Sequence, residues 1–265
     1  HGTDVWLGNA QALIDEGTVT LNEAICCRDD IMIYLIKKGL PPNKAFKIME
    51  TVRKGKALKD PEKWAEFVAL MKEHDVPDWY IKSCEKIKYM FPKAHAAAYV
   101  TNAFRIAWFK VHQPKAYYAA YFTIRADEFD SDIMCYGKEK VINKMKEIDL
   151  AGNSATTKDK NMYAILELVL EMYERGIKFL PIDLYKSHAT KFLVEEEGIR
   201  PPLNSIPGLG TVAAEGIDEA KKEGKFMSID DMKIRSKIGK SVIELLDRVG
   251  CLKGMSQSNQ MSLFG

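Results

Sequence analysis

Pro92 and Pro114 bracket a stretch, Lys93 to Gln113, that holds neither proline nor glycine. Proline breaks a helix interior but suits a first turn. The pattern therefore predicts one long helix from Lys93 to about Val111 and another from Pro114 to about Arg125. The same punctuation recurs along the chain. Helices are expected over Asn9–Glu16 and from Thr20, where Glu23 stands three residues on as in a capping box. Ile31, Tyr34 and Leu35 repeat at helical spacing within 29–38, which Gly39 ends and Pro41-Pro42 blocks. Further helices are expected over 45–53 (capped by Asn43), from Pro61 to Met71, and from Asp78 towards Met90. After an acidic junction, Ala126 to Asp132, they resume over 133–148, 156–175 and again from Thr211. Only 178–182 and 191–194 lean towards β, which fits a small hairpin or an irregular connection. The fold class is mainly α with minor β, ending in a flexible C-terminal tail over Ser256–Gly265.

A length of 265 residues allows roughly two domains of about 100–200 residues. No apolar run approaches the ~18 residues of a membrane span, and His1-Gly2-Thr3-Asp4 is no signal sequence. The five cysteines include no Cys-x-x-Cys pair and no zinc-like spacing, so reduced, mostly buried thiols in a cytoplasmic protein are expected. Net charge is only +2, but Lys82, Lys86, Lys88, Lys93, Arg105, Lys110 and Lys115 face the lone acid Glu85 in one stretch. That is an electrostatic footprint for phosphate, or a solvated helix face.

Phe91-Pro92-Lys93-Ala94-His95-Ala96-Ala97-Ala98-Tyr99 carries the most chemistry. On a helix, His95, Tyr99, Asn102 and Ile106 share one face. Lys93 sits in the first turn, beside free N–H groups and the positive end of the helix dipole. A lysine, an imidazole and a phenol on one stripe suit a nucleoside triphosphate. The competing reading is a packed helix with a solvated lysine and a core histidine. Arg53, Lys54 and Lys56 are weaker candidates for phosphate or template contact.

Ile206-Pro207-Gly208-Leu209-Gly210-Thr211 looks like a helix-hairpin-helix turn. Two glycines one residue apart allow a tight turn without Cβ atoms, whose N–H groups meet a DNA phosphate independently of sequence. Lys221, Lys222 and Lys225 follow it closely, and Ile238-Gly239-Lys240-Ser241 reads as a degenerate second copy.

The stripe, continued by Arg105-Ile106-Ala107-Trp108-Phe109-Lys110 and Tyr117-Tyr118-Ala119-Ala120-Tyr121, resembles the fingers motif of the C-family bacterial replicative polymerases. His1-Gly2-Thr3-Asp4-Val5-Trp6 and Arg28-Asp29-Asp30-Ile31-Met32 resemble the PolC branch of that family. Thr101-Asn102 departs from the more apolar pattern expected there. The resemblance implies a C-terminal part of such a polymerase, with a fingers region over 1–125, a duplex-binding region over 126–255 (helix-hairpin-helix at about 203–250) and a sliding-clamp tail over 256–265. Lys93, His95, Tyr99 and Phe91 would bind the incoming nucleotide. Gly208, Leu209, Gly210, Thr211, Lys240, Arg53 and Lys54 would bind DNA. Gln260, Leu263 and Phe264 resemble the clamp-binding pentapeptide, Gln-x-x-Leu-Phe in form.

The family's catalytic carboxylates, which hold Mg2+, lie in the palm, upstream of His1. No catalytic or metal-binding residue is expected here, and the isolated chain is expected to be inactive. Asp130-Ser131-Asp132 reads as a capping or solvated group rather than a metal pair. Implied partners are primer-template DNA, the sliding clamp and the rest of the polymerase, at the nucleoid. Two other readings compete. One is a stand-alone helix-hairpin-helix adaptor tethered to the clamp. The other is a repair glycosylase using Asp218, Asp230 or Asp231.

Overall fold

The structure is a computed structural model that describes residues 3–258. Among these, the chain is mainly helical, with one two-stranded sheet. It divides into two compact units, 1–105 and 106–265.

The first unit contains α1 (Gln11–Asp15), α2 (Arg28–Lys37), α3 (Pro42–Arg53), α4 (Pro61–Glu73), α5 (Asp78–Lys86) and most of α6 (Lys93–His112). Its core joins Ile31 and Leu35 of α2, Ile48 and Val52 of α3, Met71 of α4 and Tyr80 of α5. Tyr34 stacks on Tyr80 with ring centroids 4.1 Å apart. Proline opens α4, as the punctuation predicts; α3 instead starts at Pro42, with Pro41 at its N-cap, so Asn43 lies inside the helix and does not cap it. Thr20 to Glu23 forms a turn and not a helix. The Glu23 carboxylate accepts from the Thr20 N–H and hydroxyl, both at 2.8 Å, but the chain then turns into Cys27, which caps α2. The capping chemistry is present without a helix for it to start.

The second unit contains the end of α6, then α7 (Pro114–Arg125), α8 (Ser131–Met134), α9 (Lys138–Ala151), α10 (Thr157–Glu174), β1 (Leu193–Glu195), β2 (Gly198–Arg200), α11 (Thr211–Ala220), α12 (Ile229–Ser236) and α13 (Lys240–Arg248). The helix expected over 133–148 is split, because Gly137 takes a positive φ of 100° between α8 and α9. β1 and β2 pair antiparallel with Val194 opposite Ile199, and Phe179 bridges to Ile199 alongside. Phe122, Phe129, Phe179 and Phe192 pack around that sheet, with Phe129 and Phe192 centroids 4.8 Å apart. A separate core of Leu203, Leu209, Ala214, Ile217, Met232, Ile238 and Leu246 supports α11, α12 and α13.

All five cysteines are free. Burial pushes the Cys27 thiol up to about 11 and Cys251 up to about 12. Among the described residues no helix is long and apolar enough to cross a membrane.

Candidate functional site

The first candidate is the entry to α6. Phe91, Lys93, His95 and Tyr99 are all exposed, and α6 contains no buried residue. His95 is therefore not a core histidine. Phe91 stacks on His95 with centroids 4.9 Å apart and planes 10° from parallel. His95 meets Tyr99 at 4.5 Å. Tyr89, which sequence reasoning passed over, packs edge-on against Phe91 at 4.9 Å. The result is a continuous ladder of flat groups, Tyr89, Phe91, His95 and Tyr99, with Lys93 beside it. Such a ladder offers a stacking surface for a base or sugar and a cation for phosphate.

The helix start differs from the sequence reading in one respect. The Lys93 N–H is not free: it donates to Asp29 Oδ2 at 2.7 Å. The Arg28 N–H donates to the Phe91 carbonyl at 3.2 Å. Residues 28 and 29 thus hold the chain at the point where it enters α6.

Much of the basic stretch is already engaged. Lys86 donates to the Gly8 carbonyl at 2.8 Å, and Lys88 pairs with Asp4 at 2.7 Å. Lys110 pairs with Glu171 at 2.7 Å, and Lys115 donates to the Glu195 carbonyl at 3.2 Å. Lys82, Lys93 and Arg105 remain exposed. Arg53 and Lys54 share one carboxylate, Glu50, with Lys54 at 2.8 Å. The Arg53 and Lys54 hydrogen bonds hold the Glu50 carboxyl down at about 2. That leaves the trio with a single net positive charge, a weaker phosphate site than two free cations. Gly55 has a φ of 62°, and a Cβ there would lie 2.3 Å from the Lys88 carbonyl oxygen, so this turn is pinned against the segment leading to Tyr89.

The second candidate is a pair of hairpins in the second unit. In the first, Gly208 has a left-handed φ of 89°, Leu209 is buried, and Gly210 is extended (φ −69°, ψ 156°) at the N-cap of α11. In the second, Lys237 is left-handed (φ 55°), Ile238 is buried, and Gly239 is extended (φ −83°, ψ 171°) at the N-cap of α13. The two turns follow one conformational pattern. The second is the more complete copy, because a full helix, α12, leads into it. The sequence hid this by placing lysine where the first copy has glycine. Leu209 offers only its backbone, since its side chain belongs to the core.

Neither α11 nor α13 has a side-chain cap or an acid in its first turn. By contrast, Thr156 and Ser228 cap α10 and α12, which carry Asp159 and Asp230 there. A Cβ built on Gly210 would meet nothing within 4 Å. Both N-termini thus present uncapped positive dipole ends, which favour an anion. Thr211, Lys237 and Lys240 stand exposed beside them. Close packing fixes the pair: a Cβ on Gly216 of α11 would lie 2.7 Å from the Ser236 carbonyl oxygen, and one on Gly208 would lie 3.3 Å from Leu245 of α13. The first hairpin, through Gly208, Leu209 and Gly210, also lines a cleft of about 380 Å³ with Asp127, Glu128, Asp130 and Lys158, and Lys158 pairs with Glu128 at 3.7 Å.

Asp130 caps α8, accepting from the Asp132 N–H at 2.9 Å and the Ile133 N–H at 3.3 Å, while Asp132 pairs with Arg248 at 3.1 Å. Among the described residues no three His, Cys, Asp or Glu side chains gather as a metal site. Asp130 and Asp132, committed to a helix cap and an ion pair, do not fit a two-metal centre.

Comparison with known proteins bears on both candidates. The family model "Bacterial DNA polymerase III alpha subunit finger domain" matches residues 1–75, and "Helix-hairpin-helix motif" matches residues 176–262. The chain is 57% identical over 265 residues to the DNA polymerase III PolC-type of Clostridium perfringens. It is 57% identical over 264 residues to that of Bacillus subtilis and 53% over 264 to that of Listeria monocytogenes. The chain belongs to the PolC-type DNA polymerase III family. In each of these comparisons the whole chain is covered, while it spans about 18% of the relative's length. The second family match takes in both hairpins of the PolC-type chain. Gln260, Leu263 and Phe264, expected from sequence to bind the clamp, lie outside the described residues. Ser256 and Gln257, assigned to the tail from sequence, accept backbone hydrogen bonds from Ile229 at 2.9 Å and Asp230 at 3.1 Å, tying them to α12.

Proposed function

We propose that this chain is the nucleotide- and duplex-holding portion of a replicative DNA-directed DNA polymerase. The observation that carries the reading is its likeness to PolC-type relatives along its whole length. Lys93 meets the triphosphate of the incoming dNTP, and His95 and Tyr99 present flat faces to its sugar and base, with Phe91 closing the ladder. The two hairpins hold successive backbone phosphates of the primer-template duplex through N–H groups at the starts of α11 and α13. Thr211, Lys237 and Lys240 add hydrogen bonding and charge. Arg53 and Lys54 make a weaker phosphate contact, reduced by Glu50.

Gln260, Leu263 and Phe264 tether the enzyme to the sliding clamp, which keeps the primer terminus at high effective concentration. Mg2+ and the carboxylates that hold it belong to other parts of the full enzyme, which acts in the cytoplasm at the nucleoid. In a full-length polymerase carrying this sequence, Tyr99→Ala should raise the dNTP KM on the order of tenfold. An unchanged KM would remove Tyr99 from the nucleotide site. Deleting Leu263 and Phe264 should abolish clamp binding and leave clamp-independent extension intact; unchanged clamp affinity would refute the tether.

A further inference from the structure

We infer that Asp29 is a positioning residue for the incoming nucleotide, acting through the first turn of α6. This rests on the proposed nucleotide reading of Lys93, His95 and Tyr99. Adjacent carboxylates on α2 serve two different helices. Asp30 turns back on its own helix, accepting from the Cys26 N–H at 3.2 Å and the Cys27 N–H at 3.0 Å. Asp29 reaches 64 residues along the chain to accept from the Lys93 N–H at 2.7 Å. Its neighbour Arg28 fixes the Phe91 carbonyl at 3.2 Å.

Both ties start from a rigid base, since Ile31 and Leu35 of α2 are fully buried. The helix they hold has no such anchor. No residue of α6 is buried, so no core packing sets the direction of its first turn. The direction comes from the entry, where Met90 is buried in the core and donates its N–H to the Arg53 carbonyl at 3.1 Å, and where, beyond Met90, residues 28 and 29 hold Phe91 and Lys93 themselves. A charged acceptor on a backbone N–H is about twice as strong as a neutral one, which suits a single contact carrying this orientation. Lys93 and His95 both lie in that turn. A shift there moves the ammonium and the imidazole together, so both contacts to a bound nucleotide weaken at once. Asp29 touches neither nucleotide nor reacting atoms in this account.

The test uses the full-length polymerase carrying this sequence, with dNTP KM, kcat and duplex affinity measured for Asp29→Ala, Asp29→Asn and Lys93→Ala. Asp29→Ala should raise the dNTP KM on the order of tenfold, leaving kcat and duplex affinity within about threefold of the parent. Asp29→Asn keeps an oxygen for the same N–H and should restore the KM to within about threefold. Backbone amide exchange over 91–99 should quicken in Asp29→Ala and not in Asp29→Asn, a readout available even where activity is poor. An unchanged KM in Asp29→Ala, equal damage from Asn and Ala, or parallel loss of kcat and duplex affinity would each overturn the inference. Lys93→Ala separates the two levels. If it raises KM while Asp29→Ala does not, only the positioning role fails. If neither moves KM, the nucleotide reading fails with it.

Discussion

The two candidate sites are built in opposite ways. At the entry to α6, side chains do the presenting, on a helix with no buried residue. At the hairpins, the backbone does it, on helices that share a core of Leu209, Ile217, Ile238 and Leu246. A side-chain ladder can be altered one group at a time at little cost to folding, because exposed groups contribute little to stability. A backbone site cannot lose its N–H groups by substitution, but it depends on the packing that sets its shape. Substitutions should therefore separate function from stability at the first site and couple them at the second, except where a hairpin position has space around it.

The largest effect should come from Gly216→Val. The new side chain would press on the Ser236 carbonyl, which already lies 2.7 Å from a Cβ at that position. Overpacking of this kind costs about 1–3 kcal/mol or more, visible as a lower urea midpoint and loss of duplex binding together. At the ladder, Lys93→Ala should raise the dNTP KM on the order of tenfold while the unfolding free energy from urea titration changes by less than about 0.5 kcal/mol. Coupled loss at Lys93 would break the contrast.

Lys237→Gly sharpens it. A lysine at a φ of 55° is strained, where the first hairpin has glycine. The variant should be more stable by up to about 1 kcal/mol, yet bind duplex several-fold less tightly, with the salt slope reduced by about 1. Unchanged binding would make Lys237 a bystander. The smallest effect belongs to Glu50. Its carboxyl is held at about 2, below the ordinary value of about 4.3. Its stabilising contribution is therefore present above that ordinary value and fades as pH falls towards 2. Glu50→Gln should remove this pH dependence from acid unfolding and strengthen phosphate binding slightly by freeing Arg53 and Lys54.

Helix periodicity and proline punctuation made most of the helical layout legible, because α2, α3 and α4 each bury a regular apolar stripe. The reading failed where tertiary context decides. Thr20 and Glu23 carry capping chemistry, but only a few residues separate them from the next cap at Cys27. The Lys93, His95 and Tyr99 stripe was visible from its spacing, whereas Asp29 and Glu50 were not. Asp29 reaches its partner from 64 residues away, and Glu50 cancels one of the two positive charges, Arg53 and Lys54, read as free. The second hairpin was half visible. Its glycine and buried isoleucine fit the pattern, but a left-handed lysine carries no sequence signal.

The central claim is that uncapped N-termini at Gly210 and Gly239 hold duplex phosphates. Duplex binding across a salt series, alongside urea unfolding, tests it with a Gly210→Asp/Gly239→Asp double variant. Aspartate is a favoured N-cap residue, and both glycines have φ values any residue can adopt, with nothing closer than 3.9 Å to an added Cβ. The account predicts an unchanged or raised urea midpoint with duplex affinity at least tenfold weaker, on the order of 1.4 kcal/mol, because each new carboxylate takes the phosphate's place. Unchanged, salt-dependent duplex binding in a folded double variant would contradict it and move the DNA site away from the hairpins.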